Sequence, residues 1–452
     1  MNSPATVMIK TITQWCCWWV PCLGCLLVLA SCSVSKRIDT IAGKTITHKK
    51  ELENAHIGIT VYNSANGKYL YNSNGNKYFI PASNTKIITC YAAMKYLGDS
   101  LPGLSVAEFN NFIVVSPTGD PTLLHPDFAN QPVIDFLVKQ PKGIFFTNNK
   151  WRENAYGAGW SWDDYDTYYM AERSAMPIYG NVLSASGKAN ALQVVPNNLV
   201  TAINNKNNDT TAFASSISRD FYNNQFAVQY NSATQQIVQT PFITSDSLAL
   251  RLLQDTLHKT FSRPGKFGAA NNNTKANSYT VYSQPTDTML KIMMHRSDNF
   301  YAEQSLLMLS NQHLGIMSDA AIIDTLLKSD FKAMPQNPRW VDGSGLSRYN
   351  LFTPQDFVFV LDKMKQEFNW QRITTIFATG GGGTLNGQYD SLQGKLYAKT
   401  GTLSNNIALS GYLITNKGQT LIFSIMVGNH TSSNALIRKS MEAFLTKLVQ
   451  QY

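Results

Sequence analysis

The alternation of apolar and polar positions is clearest near the beginning of the chain. His56–Tyr62 alternates as a β-strand does, and Lys68–Tyr71 begins a return strand after a turn-like segment, so a hairpin is predicted. The apolar residues of Ile87–Leu97 recur at helical spacing. Because Ser83 comes just before this segment, we predict that it lies near the first turn of a helix.

The residue composition changes from about residue 100 to 285, where Pro, Asn, Gly and aromatic residues dominate. Short strand-like runs such as Phe112–Val115 and Ala191–Val195 predict one or two small β-rich units. Helical periodicity returns over Thr288–Leu309 and Ser318–Leu327. In the C-terminal part, the pattern predicts antiparallel strands over Lys395–Lys399, Ile407–Ile414 and Thr420–Val427. It also predicts a closing helix over Asn434–Val449.

These elements predict an α+β fold in which an antiparallel sheet takes strands from both ends of the chain and is flanked by helices. We expect one domain built from residues 32–100 and 286–452. Residues 101–285 would form the inserted β-rich domain or domains, and residues 1–31 would not belong to the folded protein.

The N-terminal segment has the pattern of an export signal. Lys10 precedes an apolar run, Trp15–Ala30, and small residues stand just before Cys32. The pattern resembles a bacterial lipoprotein signal, which predicts that residues 1–31 are removed and that Cys32 anchors the protein in a membrane through a lipid. The alternative is an uncleaved anchor helix, although a run of about 17 residues is marginal for crossing a bilayer. Either interpretation places the remaining chain on the periplasmic side of the cell envelope.

Composition narrows the choice of partners. The chain has 452 residues, a net charge of +9 and 44% hydrophobic residues, which indicates a globular protein suited to acidic polymers or lipid surfaces. No basic cluster indicates nucleic-acid binding. Five of the six cysteines lie within the signal or at its end, so Cys90 is expected to be a buried core residue. We predict neither a disulfide framework nor a metal site, and no cofactor.

Three short motifs follow one another along the chain: Ser83-Asn84-Thr85-Lys86, Ser297-Asp298-Asn299 and Lys399-Thr400-Gly401. Each is weak alone, since Ser-x-x-Lys also occurs at Ser33/Lys36 and Ser329/Lys332. Their order is informative, because the first opens a helix and the third ends a strand. This combination is typical of serine acyl-transfer enzymes.

The spacing within the motifs suits nucleophilic catalysis. Residues three apart share one face of a helix, so Lys86 can reach the Ser83 hydroxyl and accept its proton if burial or a second cation lowers its pKa. Lys399 is the candidate second cation. Ser297 would pass a proton to the leaving amine, and Asn299 would bind a substrate amide. The amides of Ser83 and Thr402 would form the oxyanion hole.

Each motif also has a purely structural interpretation. Ser83 could be only a helix cap, the segment from Ser297 to Asn299 could cap a helix, and Lys399-Thr400-Gly401 could be a strand end with a turn. Other catalytic patterns are missing from the sequence, including Gly-x-Ser-x-Gly, His-Glu-x-x-His and the phosphate-binding loop, and Gly380–Gly383 lacks the lysine that such a loop needs.

With these motifs, the sequence resembles the DacB-like D-alanyl-D-alanine carboxypeptidases and endopeptidases of peptidase family S13, the class C low-molecular-mass penicillin-binding proteins. The resemblance extends to Gly119–Thr122, Gly159–Asp164, Asp342–Asn350 and Gly383–Leu385, and it covers nearly all of the chain after the signal. It implies a penicillin-binding/β-lactamase-like transpeptidase domain with β-rich insertions between the first two motifs.

The resemblance also implies the chemistry. Ser83 would attack the penultimate D-Ala of a peptidoglycan stem peptide, and β-lactam antibiotics would acylate the same serine. Asp164, Tyr169 and Arg348 would contact the substrate side chain, with Asp164 on the free amine of its diamino acid. Thr400, Gly401 and Thr402 would bind the peptide backbone. Ser404 stands where some relatives carry a longer amide side chain, and a homodimer is left open.

Two other functions are compatible with the sequence. The first is a catalytically silent peptidoglycan-binding protein, although all five motif residues are intact. The second is a β-lactamase or D-peptide esterase that uses the same nucleophile and releases penicillin rapidly.

Overall fold

A computed structural model of the protein describes residues 35–188, 191–204, 216–229, 237–262 and 276–452. The predicted signal, residues 1–31, and Cys32 therefore lie outside the described residues. Among the residues that are described, none of the helices combines the length and the apolar character needed to cross a membrane.

The strands of the described chain are β1 (His56–Asn63), β2 (Lys68–Ser73), β3 (Ser100–Glu108), β4 (Phe112–Pro117), β5 (Gly143–Phe146), β6 (Val182–Lys188), β7 (Ala191–Val195), β8 (Val200–Asn204), β9 (Ser216–Arg219), β10 (Phe226–Gln229), β11 (Val238–Pro241), β12 (Phe261–Ser262), β13 (Asn277–Pro285), β14 (Ala378–Thr379), β15 (Leu396–Leu403), β16 (Asn406–Ile414) and β17 (Thr420–Gly428). The helices are α1 (described over residues 35–42), α2 (Lys86–Tyr96), α3 (Pro132–Lys139), α4 (Asp246–Leu257), α5 (Thr286–Arg296), α6 (Asn299–Leu314), α7 (Asp319–Lys328), α8 (Pro354–Glu367), α9 (Trp370–Ile376) and α10 (Asn434–Gln451). Single 3-10 turns connect several of them.

The main sheet has six antiparallel strands in the order β14-β15-β16-β17-β1-β2, so its strands come from both ends of the chain, as predicted. Both of its faces are covered. Tyr412 of β16 packs into the core formed with α2, α5, α6 and α8, whereas its neighbour Leu413 packs into the core formed with α1 and α10. Burial on both faces explains why β16 and β17 are almost continuously apolar instead of alternating.

The segment between the first two motifs forms three further sheets. A five-stranded sheet has the order β12-β5-β4-β3-β13, and two three-stranded sheets have the orders β11-β6-β7 and β8-β10-β9. They enclose a separate hydrophobic core. Ser100 of β3 pairs with Pro285 of β13, so the chain enters and leaves this region at adjacent points. The domain boundaries at 100/101 and 285/286 stay a prediction.

Two features differ from the sequence pattern. The inserted region contains the helices α3 and α4 in addition to its strands. The sequence pattern did not predict them, because short apolar runs do not distinguish a strand from a helix. The helical stretch predicted over Thr288–Leu309 is two helices, since Ser297 adopts a left-handed conformation with φ 61° between α5 and α6. Asp298 then caps α6 by accepting a hydrogen bond from the Tyr301 amide. The break falls on the second motif and turns its side chains toward a cleft.

Candidate active site

Ser83 lies in a 3-10 turn, Ala82–Thr85, that leads directly into α2. The preceding residue, Ala82, has a φ of 48°, which is unfavourable for a residue with a side chain and needs support from its surroundings. Ser83 is half-buried and lines a cleft of about 830 Å³. The turn therefore presents the Ser83 hydroxyl to solvent at the beginning of a helix.

Lys86 is fully buried one turn behind Ser83, and its ammonium group has three partners. Lys86 Nζ donates to Ser83 Oγ at 3.0 Å, to Asn299 Oδ1 at 2.7 Å and to the Ser344 carbonyl oxygen at 2.7 Å. Burial lowers the pKa of Lys86 to about 8, and the negative charges of Asp342, Glu303 and Asp298 limit the decrease. A lysine with this pKa is partly neutral near neutral pH and can act as a base.

The three partners also decide which way the neutral amine points. The Ser344 carbonyl oxygen can only accept a hydrogen bond, and the Asn299 amide presents its oxygen to Lys86 because its nitrogen donates to the Tyr169 carbonyl oxygen at 2.9 Å. These two acceptors hold two hydrogens of the amine. The lone pair of neutral Lys86 is consequently left for the third partner, the Ser83 hydroxyl.

Lys399 lies on β15 and is also fully buried. Lys399 Nζ donates to Ser297 Oγ at 2.8 Å and to the Thr400 carbonyl oxygen at 2.8 Å. Burial and the neighbouring charge of Lys86 hold the pKa of Lys399 well below its usual value. The structure thus brings the three motifs together, with the second motif between the two lysines.

Asn84 ties the nucleophile turn to β15. Its amide nitrogen donates to the backbone carbonyl oxygen of Lys399 at 2.9 Å, and both residues are completely buried. The two elements are also in close contact, because a Cβ at Gly401 would lie 2.5 Å from the Pro81 carbonyl oxygen. The glycine of the third motif therefore allows β15 to approach the Ser83 turn.

The outer edge of β15 is available to a ligand. β14 pairs only with Tyr397 and Ala398 of β15. From Lys399 to Leu403, no other strand of the described chain pairs with this edge. An unpaired edge beside a nucleophile can bind an extended peptide through backbone hydrogen bonds.

The predicted site residues occupy three positions relative to the cleft. Those that line it are Ser83, Ser297, Asn299, Thr402, Ser404, Arg348, Asp164 and Tyr169. Lys86 and Lys399 lie buried behind them, and Thr400 and Gly401 lie on β15 next to the turn. Burial and the nearby Asp164 carboxylate raise the pKa of Tyr169. Arg348 donates to the Ser404 carbonyl oxygen at 3.3 Å.

The distinctive segment Asp342–Asn350 is a loop that packs against the nucleophile turn. The buried Asp342 carboxylate accepts hydrogen bonds from the Gly345 and Ser347 amides, at 2.8 and 2.6 Å. A Cβ at Gly345, which has a φ of 83°, would lie 1.8 Å from the Ala82 carbonyl oxygen. The loop thereby supports the strained Ala82 and delivers the Ser344 carbonyl to Lys86.

Behind this loop lies an ionic cluster that sequence reasoning missed. Glu303 of α6 accepts a hydrogen bond from the Ser344 amide at 2.8 Å. Arg173 is buried and contacts Asp319, and its Nη1 lies 3.6 Å from Glu303 Oε2. Burial and the charge of Asp342 raise the pKa of Glu303 to about 8. Nothing in the local sequence distinguishes Glu303 from an exposed helical glutamate.

Two other neighbours of the site were also missed. Asn84 lies inside the first motif, so its spacing could have indicated a role, but its partner Lys399 is 315 positions away. Arg438 of α10 donates to Thr402 Oγ1 at 3.1 Å. Within the described residues, no group of three or more His, Cys, Asp or Glu side chains could hold a metal ion.

Comparison with known proteins identifies similar sequences and a similar fold. The chain is 25% identical to a D-alanyl-D-alanine carboxypeptidase of Actinomadura sp., over 90% of this chain and 86% of that protein. It is 23% identical to the D-alanyl-D-alanine carboxypeptidase DacB of Haemophilus influenzae, over 89% of this chain and 92% of that protein. The crystal structure of penicillin binding protein 4 (dacB) from Haemophilus influenzae has the same fold, with a TM-score of 0.70, 19% identity, and coverage of 91% of this chain and 99% of that one.

The match at family level covers about the same part of the chain. The sequence profile described as the D-Ala-D-Ala carboxypeptidase 3 (S13) family matches residues 41–448, from α1 to α10. This range includes all three motifs and the inserted sheets. The chain therefore belongs to the D-Ala-D-Ala carboxypeptidase 3 (S13) family and is a serine-type D-Ala-D-Ala carboxypeptidase with a penicillin-binding fold.

Proposed function

We propose that the protein hydrolyses peptidoglycan stem peptides and cross-links through an acyl-enzyme on Ser83. The observation that carries the proposal is the position of Lys86, whose amine reaches Ser83 Oγ while two acceptors bind its other hydrogens. A buried base with a lowered pKa supplies what a serine hydroxyl lacks as a nucleophile at neutral pH.

The reaction would proceed in two steps. Ser83 Oγ attacks the carbonyl carbon of the penultimate D-Ala, and its proton passes to Lys86. The C–N bond then breaks, and this proton passes from Lys86 through Ser297, which also accepts a hydrogen bond from Lys399, to the leaving amine. In the second step a water molecule attacks the ester, its proton returns to Ser83 Oγ, and the shortened peptide leaves as a carboxylate.

Substrate binding would use the surfaces around Ser83. The peptide would pair with the open edge of β15 and place its carbonyl oxygen between the amides of Ser83 and Thr402. Asn299 would bind a substrate amide. Asp164, which lines the cleft together with Tyr169, would attract the free amine of the diamino acid, and Arg348 and Ser404 would complete that wall of the cleft.

The remaining parts of the proposal concern inhibitors and location. Penicillins would acylate Ser83, since a β-lactam presents a strained amide to the same nucleophile. Export to the periplasmic side, removal of residues 1–31 and lipidation of Cys32 are expectations from the sequence pattern and the family resemblance, which leave a homodimer open. We also propose the division into a catalytic domain, 32–100 with 286–452, and an inserted region, 101–285.

The decisive test is covalent labelling with a fluorescent penicillin. The wild-type protein should form a long-lived adduct, and peptide mass spectrometry should locate it on Ser83, whereas Ser83→Ala should not be labelled. Ser329→Ala, in another Ser-x-x-Lys sequence, is the matched control and should label normally. Failure of the folded wild-type protein to label would reject the proposal, and rapid turnover of penicillin would favour a β-lactamase.

Muropeptide analysis separates the two peptidase activities. Digestion of purified peptidoglycan should remove one D-Ala from pentapeptide stems if the enzyme is a carboxypeptidase. Conversion of cross-linked dimers into monomers would show endopeptidase activity. If Ser83→Ala retained either activity, the proposed role of Ser83 would be wrong.

A further inference from the structure

Five large aromatic side chains stand exposed at one edge of the catalytic cleft. They come from two segments far apart in sequence and are Trp162, Tyr168, Tyr169, Phe221 and Tyr222. Trp162 is 73% exposed and Tyr222 is 85% exposed. We call this set the aromatic rim. Clustered exposed aromatic residues on a soluble protein are characteristic of a binding surface, because their burial in the core would otherwise be favoured.

The rim is continuous with the cleft that Ser83 lines. Trp162 lies in the 3-10 turn Trp162–Asp164, and its neighbours Ser161 and Asp163 line the cleft. Tyr168 and Tyr169 line the same cleft. A ligand bound by its peptide at Ser83 would therefore extend its other end past this surface.

The aromatic rim is held in place by a buried cation. Arg219 is 3% exposed, and its guanidinium donates to the carbonyl oxygens of Tyr165 at 3.3 Å and Asp220 at 2.9 Å, so it joins the two segments. Arg219 also packs on the Tyr165 ring at 5.0 Å, and that ring contacts Phe221 at 4.8 Å. The exposed rings are thus pre-organised, which lowers the entropy cost of binding.

Charge limits what the rim can bind. Four aspartates, Asp163, Asp164, Asp166 and Asp220, stand in these two segments, 160–169 and 219–222, and Arg219 is their only basic residue. An anionic lipid surface or a phosphate-rich polymer would be repelled. An uncharged ligand with flat apolar faces and many hydroxyl groups fits better, because its C–H groups pack on aromatic faces and its hydroxyls donate to carboxylates.

We infer that the aromatic rim binds the glycan strand of peptidoglycan, a neutral polymer of N-acetylated hexosamines, while the attached stem peptide occupies the cleft. The inference rests on the proposed function, since it takes the stem peptide as the ligand of the cleft. It assigns to the inserted region a role in recognising polymeric substrate, and it predicts a preference for peptides that are still attached to glycan.

The test compares Trp162→Ala/Tyr222→Ala with the wild-type protein on two substrates. With a soluble sugar-free pentapeptide ending in D-Ala-D-Ala, the rates should be equal. With the same pentapeptide attached to a glycan, the KM of the double variant should rise about tenfold at unchanged kcat, as expected for the loss of aromatic stacking. Tyr282→Ala removes a tyrosine that is 57% exposed on β13 and does not line the cleft, so it is the matched control.

Binding measurements keep the inference independent of catalysis. An N-acetylglucosamine oligomer, which is neutral like the glycan that still carries its peptides, should bind the wild-type protein and change its tryptophan fluorescence. Trp162→Phe should retain binding, whereas the double variant should bind about tenfold more weakly. The inference would be overturned if the double variant lost as much activity on the sugar-free peptide as on the glycan-attached peptide. It would also be overturned if the double variant bound glycan as tightly as the wild-type protein. If the wild-type protein hydrolysed neither substrate but bound glycan through the rim, the proposed function would fail, and of the inference only glycan binding by the rim would remain.

Discussion

The side chain of Asn84 donates a 2.9 Å hydrogen bond to the backbone carbonyl of Lys399, so the turn that carries Ser83 is joined directly to the strand that carries the third motif. Both groups are buried, and the strand edge beside them is open. The Ser83 turn is therefore held against the strand of the third motif by a hydrogen bond in addition to packing.

Replacing Asn84 with Ala should slow acylation and destabilise the protein. The Lys399 carbonyl would lose a buried partner, which costs about 1–3 kcal/mol, and a shift of β15 by about 1 Å would reduce the acylation rate about 100-fold. Stopped-flow labelling with fluorescent penicillin and thermal unfolding measure the two effects. Asn198→Ala, at an exposed position, should change neither. Normal acylation by a folded Asn84→Ala would show that packing alone holds the strand.

The rate of acylation should depend on the protonation of Lys86. Its pKa is lowered to about 8, and only the neutral amine accepts the Ser83 proton. Below that value the rate should rise about tenfold for each pH unit and then level off. Lys86→Arg should abolish labelling at every pH, because a guanidinium does not lose its proton. A rate that stays constant from about pH 6 to 9 would exclude Lys86 as the base.

Asp164→Asn should weaken recognition of the diamino acid. A peptide with a free side-chain amine should show a KM about ten- to a hundredfold higher, since one charged hydrogen bond is lost. The N-acetylated peptide should be unaffected. Asp163→Asn is the matched control, because this neighbouring carboxylate accepts a hydrogen bond from Ser161 Oγ at 2.6 Å. Equal effects of the two variants, or equal effects on the two peptides, would argue against an amine subsite.

Gly345→Ala should disturb the nucleophile turn. A Cβ at this position would meet the Ala82 carbonyl oxygen at 1.8 Å, so the loop or the turn must move. We expect a loss of stability well above the cost of the left-handed conformation alone, about 1 kcal/mol, and at least a tenfold slower acylation. Gly418→Ala is the matched control, because Gly418 also has a positive φ, 77°, but has open space around it. This variant should lose only the stability that the left-handed conformation costs. Similar results for both variants would contradict the proposed contact.

Arg173→Met should destabilise the fold by about 3 kcal/mol, since it leaves Glu303 and Asp319 without their buried cation. The loss should grow as pH rises. Burial already raises the pKa of Glu303 from its usual 4.5 to about 8, and removing Arg173 raises this pKa further. The folded state then binds more protons than the unfolded state, so stability falls with pH above 4.5.

Urea unfolding at several pH values would measure this effect. Lys328→Met removes one half of an exposed ion pair with Asp324 and should cost less than about 1 kcal/mol at any pH. A penalty for Arg173→Met that is independent of pH would mean that lost packing, not the carboxylate charge, dominates.

The sequence alone determined the features that depend on neighbouring residues. The spacing within Ser83–Lys86, the strand hairpin before it and the apolar runs of β16 and β17 are local, because side-chain periodicity and one turn of helix involve only a few successive positions. The three motifs, with the family resemblance, also predicted the fold class. Local pattern predicted Thr288–Leu309 as helical but could not detect the break at Ser297, where capping by Asp298 overrides helical periodicity.

Only the tertiary structure decided how the site is assembled. Lys86 and Asn299 are separated by 213 positions, and Lys399 and Ser297 by 102, so their contacts exist only after the sheet and helices have packed. Burial, which lowers the pKa of both lysines, is likewise a property of the folded molecule. The supporting residue Glu303 has no local signature, because a charge becomes distinctive only when the fold removes it from water.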